Sequence, residues 1–162
     1  MKAIFERAQA RCQEAFARIE DIETYNTSRV LEAYSNHQVG QRHFAPSTGY
    51  GYDDVGRDTL ESLFADLFHA QAAIVRPHIA SGTHALALCL FGLLRPGDEL
   101  LYVTGAPYDT LEEVIGIRGC PPGSLREMGV RYGEVALKEG KIDVESVMER
   151  LTPQTRVVAV QR

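Results

Sequence analysis

Ser81-Gly82-Thr83-His84 stands between a short apolar run and the nearly all-apolar stretch from Ala85 to Leu94. A helix starting there presents backbone N–H groups that have no intrahelical acceptor and carry the positive end of the helix dipole, so phosphate fits against them. Gly82 lets the backbone approach closely, and the hydroxyls of Ser81 and Thr83 add donors. The same residues also read as a plain helix start with Ser81 as its cap. Neither GxxxxGK[ST] nor GxGxxG accompanies them, which leaves nucleoside-triphosphate and dinucleotide sites unsupported.

A second group is Gly105-Ala106-Pro107-Tyr108-Asp109-Thr110. Here Tyr108, held by Pro107 and a helix start, is placed either to stack on a flat ring or to serve structure alone. The third is the loop from Ser47 to Arg57, where Tyr50, Tyr52, Asp53, Asp54 and Arg57 lie among glycines. Those side chains can bond an anion or pack across a subunit interface, and the two readings are compatible. His84 contacts either a ligand or its own loop. His37, His43, His69 and His78 lack metal-ligand spacing. Ser81 with His84 lacks the third group that would orient a nucleophile and base.

The elements around these groups follow from periodicity. Apolar residues three or four apart predict an amphipathic helix over residues 3–23 and a second from Ser28 to Asn36. Residues 38–56 lose both periods and read as a loop. Asp58 with Glu61 three residues on predicts a capped helix carrying Leu60, Leu63, Phe64, Leu67 and Phe68. Ala72 to Val75 reads as a strand ending before Pro77. The stretch after Ser81 reads as a helix with so little polar surface that burial is expected, Cys89 included. Glu99–Thr104 reads as a strand, Asp109–Ile117 as a capped helix and Val130–Leu137 as a strand. Asp143 then caps a helix bearing Val144, Val147, Met148 and Leu151, and Thr155–Val160 is the last strand. Alternating strands and helices imply an α/β fold with a mainly parallel sheet and right-handed crossovers. Ligands of such sheets bind beyond the carboxyl ends of the strands.

Composition sets the outer limits. The chain has 162 residues, 44% hydrophobic and 24% charged, enough for a core, since about 150 residues bury roughly 70% of their unfolded surface. A formal charge of -5 gives no basic field for nucleic acid. Cys12, Cys89 and Cys120 are widely spaced and form no CxxC pair, so a reducing cytoplasm is expected, with neither a disulfide framework nor a metal site. The N-terminus mixes charge with apolar residues, unlike a signal peptide. No apolar run approaches the roughly 20 residues that span a bilayer.

SGTHAL at 81–86, GYGYDDVGRDTLE at 49–61, RPGDELLYVTGAPYDTLEEVIGIRG at 95–119 and VVAVQR at 157–162 resemble the bacterial aluminium-resistance protein family. That family is related to methionine gamma-lyase and the cystathionine lyases, enzymes of fold type I that use pyridoxal 5'-phosphate. The resemblance covers nearly the whole chain. It implies N-terminal helices and an aromatic, Gly-rich loop over residues 1–56, then the first half of the mainly parallel sheet of the large cofactor domain over 57–162. It also implies that Ser81, Gly82 and Thr83 form the phosphate cup and that Tyr108 stacks on the pyridine ring. Tyr50 is similar in placement to a tyrosine that reaches the phosphate of a neighbouring subunit, which implies a homo-oligomer. The arginine two residues after that tyrosine in those lyases is Tyr52 here.

The resemblance further implies beta or gamma elimination on an amino-acid substrate, with sulfur-containing ones expected. That chemistry needs a Schiff-base lysine. Of the 17 basic residues only Lys2, Lys138 and Lys141 are lysines, and none has the apolar surroundings that depress an amine pKa. In the family the catalytic lysine and the acidic partner of the pyridine nitrogen lie farther along than this chain extends, so the resemblance implies no catalytic residue within it. The alternative is a non-catalytic α/β domain that binds phosphate or serves association.

Overall fold

The structure, a computed structural model, describes residues 1–47, 52 and 54–161. Two compact units divide the chain at Met1–Pro77 and His78–Arg162. The second helix packs on the first and on the 3-10 turn Gln41–Phe44, which groups it with the N-terminal unit.

In that unit α1 runs unbroken over Lys2–Asn36, where the periodicity predicts two helices. No Gly or Pro interrupts residues 24–27, and the one side chain there prone to turns, Asn26, donates back to the Ile22 carbonyl at 2.8 Å. A polar stretch thereby stays helical. Helix α2, Val55–Leu67, begins earlier than the sequence suggests. Asp54, not Asp58, is its cap, accepting from the Arg57 N–H at 3.1 Å while Ser47 Oγ donates to its other oxygen at 2.6 Å. The Ser47 and Arg57 donors hold the Asp54 carboxyl below its ordinary range. Asp58 falls in the first turn and pairs with Arg57 at 3.3 Å. Two contacts fasten α2 to α1: His37 Nε2 meets Asp66 Oδ2 at 2.6 Å, and the Arg29 guanidinium donates to the Leu67 carbonyl at 2.7 Å.

Ala72–Val75 is not a strand. The Val75 N–H, a donor a ladder would need, goes to the Glu61 carboxylate at 2.9 Å, and Glu61 also pairs with Arg76. A side chain has replaced the neighbouring strand as acceptor.

The second unit carries the sheet. Its elements are α3 (Gly82–Leu93), β1 (Glu99–Tyr102), α4 (Asp109–Ile115), β2 (Arg131–Glu134), α5 (Val144–Arg150) and β3 (Thr155–Ala159). The strand order is β2-β1-β3 and both pairings are parallel. The α/β reading with a parallel sheet therefore holds. On one face Leu100 and Tyr102 pack with Leu90 of α3 and Leu94 just after it, Leu111 and Ile115 of α4, and Leu125 and Val130. Asp143 caps α5 as anticipated, accepting from the Ser146 N–H at 3.2 Å.

Helix α3 departs from its expected burial. Leu90 is buried, whereas Leu86, Leu88, Leu93 and Cys89 are exposed. Only the face toward α4 and the sheet is covered within this unit.

Gly116 closes α4 in the left-handed region at φ 91°, and a Cβ there would come within 2.5 Å of Ser124 Oγ. A left-handed conformation alone costs an L residue about 1–2 kcal/mol. Gly116→Ala is expected to destabilise the sheet unit by at least that amount, read as a lower urea midpoint. A loss of only about 1–2 kcal/mol would show that the Ser124 loop shifts freely, whereas an unchanged midpoint would contradict the left-handed assignment.

Candidate cofactor site

The site is built by two turns. Ser81, extended at φ -161°, caps α3 by accepting the His84 N–H on its Oγ at 3.1 Å. That bond occupies the Ser81 oxygen as an acceptor and leaves its proton free. The Gly82 and Thr83 N–H groups belong to the first turn, where no intrahelical carbonyl is available. The space over Gly82 is open, since a Cβ built there would meet nothing within 4 Å. Donors at a positive helix end beneath an unobstructed approach suit the phosphate of a ligand such as pyridoxal phosphate.

The second turn follows β1. Pro107 is buried, Tyr108 is half-buried against the core, and α4 begins at Asp109. Tyr108 stands at the cap position without a side-chain cap bond, and Asp109 Oδ1 accepts the Thr110 N–H at 2.8 Å. The two turns meet: Thr83 Oγ1 lies 3.0 Å from the Tyr108 hydroxyl and 3.2 Å from Thr110 Oγ1. Residues 25 positions apart, singled out separately in the sequence, thus share one edge. One backbone bond and one backbone-to-side-chain bond tie the same edge together. The Gly105 N–H donates to the Val135 carbonyl at 3.0 Å, and the Gln161 N–H donates to Thr104 Oγ1 at 3.1 Å.

Behind the site Tyr102 and Tyr132 rest 6.1 Å apart, tilted at 43°. Burial pushes both phenols up, and Tyr132 is raised further by its 2.7 Å bond to Glu134. His84 serves its own loop, its Nδ1 accepting from the Ala80 N–H at 3.2 Å. Tyr50, the expected reach to a neighbouring subunit, lies outside the described residues. Thr110 was not among the expected binding residues; its signal is the hydroxyl two positions after Tyr108 at a helix start. Lys138 and Lys141 face one another across a bridged turn between β2 and α5, both exposed. Among the described residues no three or more His, Cys, Asp or Glu side chains gather to hold a metal ion, and no helix is long and apolar enough to cross a membrane.

A three-stranded parallel sheet with helices between its strands defines an α/β protein. The chain belongs to the methionine gamma-lyase family, whose model matches residues 1–162. It is similar to the Bacillus subtilis protein YnbB, 56% identical over 146 residues that make up 89% of this chain and 35% of the relative. A Listeria monocytogenes crystal structure named "putative cystathionine beta-lyase involved in aluminum resistance" matches with a TM-score of 0.94 at 46% identity, over 100% of this chain and 41% of that one. A Clostridium novyi structure named as a carbon-sulfur lyase involved in aluminum resistance gives 0.94 at 43%, over 99% and 39%. The resemblance to the aluminium-resistance proteins is thereby borne out. The chain spans about two fifths of the length of these solved relatives.

Proposed function

We propose that this chain is the N-terminal part of a pyridoxal-phosphate-dependent lyase of fold type I, acting on sulfur-containing amino acids by beta or gamma elimination. The observation that carries the reading is the 3.0 Å contact joining Thr83 of the cup to Tyr108, in a chain matched by the family along its whole length. Ser81, Gly82 and Thr83 hold the phosphate through two first-turn N–H groups and two hydroxyls. Tyr108 covers the ring, its plane fixed by the bond to Thr83 and by packing on the core. Bound cofactor supplies the electron sink that makes the alpha proton of an amino acid removable. The amine that moves that proton belongs to the longer protein, because Lys138 and Lys141 occupy an exposed turn. Residues 57–162 are the first half of the large domain and residues 1–56 its N-terminal helices and loop. Tyr50 serves the site of a neighbouring copy in a cytoplasmic homo-oligomer.

Equilibrium dialysis of the 162-residue chain against pyridoxal phosphate tests the reading. Saturable binding is expected, weakened about three- to tenfold in Tyr108→Ala, because a stacked ring contributes about 0.5–1.5 kcal/mol. No saturable binding, or equal binding by the variant, would favour a non-catalytic association domain.

A further inference from the structure

Three hydroxyls converge beside the cup, and their protons have to be distributed. Thr83 Oγ1 lies within hydrogen-bond distance of both the Tyr108 hydroxyl and Thr110 Oγ1, at 3.0 Å and 3.2 Å. A threonine oxygen carries one proton and two lone pairs. A phenol is a stronger acid than an alcohol, so Tyr108 donates in its contact with Thr83. One lone pair and one proton then remain on Thr83. If Thr83 donates to Thr110, nothing on that hydroxyl is left for a phosphate. If Thr110 donates instead, both lone pairs of Thr83 are filled and its proton is turned away from the two neighbours. Thr110 is exposed, so water satisfies its own lone pairs in that arrangement. A phosphate dianion accepts strongly and selects it.

We propose that Thr110 is a positioning residue for the phosphate end of the ligand, donating its proton to Thr83 so that the Thr83 hydroxyl is aimed at the phosphate. The inference rests on the cofactor reading above and adds to it a residue outside the cup. Its signature is selectivity. Thr110 acts on the phosphate alone, through Thr83, and has no part in holding the ring.

Thr110→Val keeps the shape and removes the hydroxyl, whereas Thr110→Ser keeps the hydroxyl. Equilibrium dialysis against pyridoxal 5'-phosphate and against pyridoxal, which lacks the phosphate, separates the possibilities. Thr110→Val is expected to bind pyridoxal phosphate about three- to tenfold more weakly, the effect of one hydrogen bond. Its pyridoxal affinity is expected to be unchanged, and Thr110→Ser to restore the difference between the ligands. Circular dichroism reports whether the valine variant folds; if it does not, Thr110→Ala takes its place. Equal weakening toward both ligands would make Thr110 purely structural and overturn the proposal, as would no change toward either. If the unsubstituted chain shows no saturable binding of pyridoxal phosphate, the cofactor reading itself fails, a result distinct from bound ligand that ignores Thr110.

Discussion

Leu100→Ala is expected to lower the stability of the sheet unit by about 2–5 kcal/mol, the range for emptying a fully packed leucine site. Leu100 sits in the central strand with no exposed surface, among Leu90, Leu94, Leu111 and Ile115. Leu90, Leu111 and Ile115 are held in helices, so collapse around the site is limited. Domains are stable by only about 5–15 kcal/mol, so the change removes a large share of what holds β1 in place. Because β1 lies between both other strands, the loss falls on the whole sheet. Urea denaturation followed through Tyr102 and Tyr132 reads it as a lower midpoint at constant slope. Leu88→Ala supplies the contrast. Leu88 lies on the exposed side of α3, where substitutions usually change stability by about 0.5 kcal/mol or less. Equal effects of the two substitutions would contradict the assignment of α3's covered face.

That contrast also marks where sequence reading stops. The apolar character of α3 is plain in its residues, but burial depends on what packs against a helix, and only one side of α3 is covered here. Periodicity locates β1, β2 and β3 because their backbone groups pair with one another, and α5 because its cap lies within its own sequence. Asp143 is followed by a helix whose first turn it can reach, whereas Asp58, the sequence candidate, falls inside α2 and Asp54 caps it instead. The choice between them is settled by Ser47, a partner seven residues upstream. Val75 illustrates the same limit, since its extended residues lose strand pairing to a carboxylate on another element. The site was legible as two separate turns, each from its own residues: Ser81 as the cap of an apolar helix, and Tyr108 in the loop after β1. That Thr83 and Tyr108 touch, and that Thr110 joins them, depends on side-chain rotation that no spacing encodes.

Glu99→Gln is the second substitution with a large expected effect, and its consequences depend on pH. Glu99 opens the central strand with its carboxylate buried. One oxygen accepts from Thr155 Oγ1 at 2.6 Å and from Thr152 Oγ1 at 3.3 Å, and the other meets the Arg150 guanidinium at 3.0 Å. These contacts join the start of β1 to the end of α5 and the start of β3. Burial pushes the Glu99 carboxyl up, but the Thr155 bond, the Arg150 charge and the Thr152 bond outweigh it, holding the group below its ordinary 4.5. A folded value below the unfolded one means that the unfolded chain binds the proton more readily. The contribution is therefore complete above about pH 4.5 and is lost as pH falls through the folded value. An amide at this position cannot accept at both ends, so it turns an NH2 group toward either the threonine hydroxyls or the arginine. Hydrogen bonds to charged groups contribute about 1.5–3 kcal/mol. Arg150 keeps 42% of its side chain exposed, so solvent compensates part of its loss and the lower half of that range is expected at neutral pH. Acidification from neutrality to below about pH 4 should then narrow the gap between Glu99→Gln and the unsubstituted chain, because only the latter has this carboxylate to protonate. Urea midpoints at both pH values measure the gap, and a gap that stays constant would place the acid sensitivity of the sheet on another carboxylate.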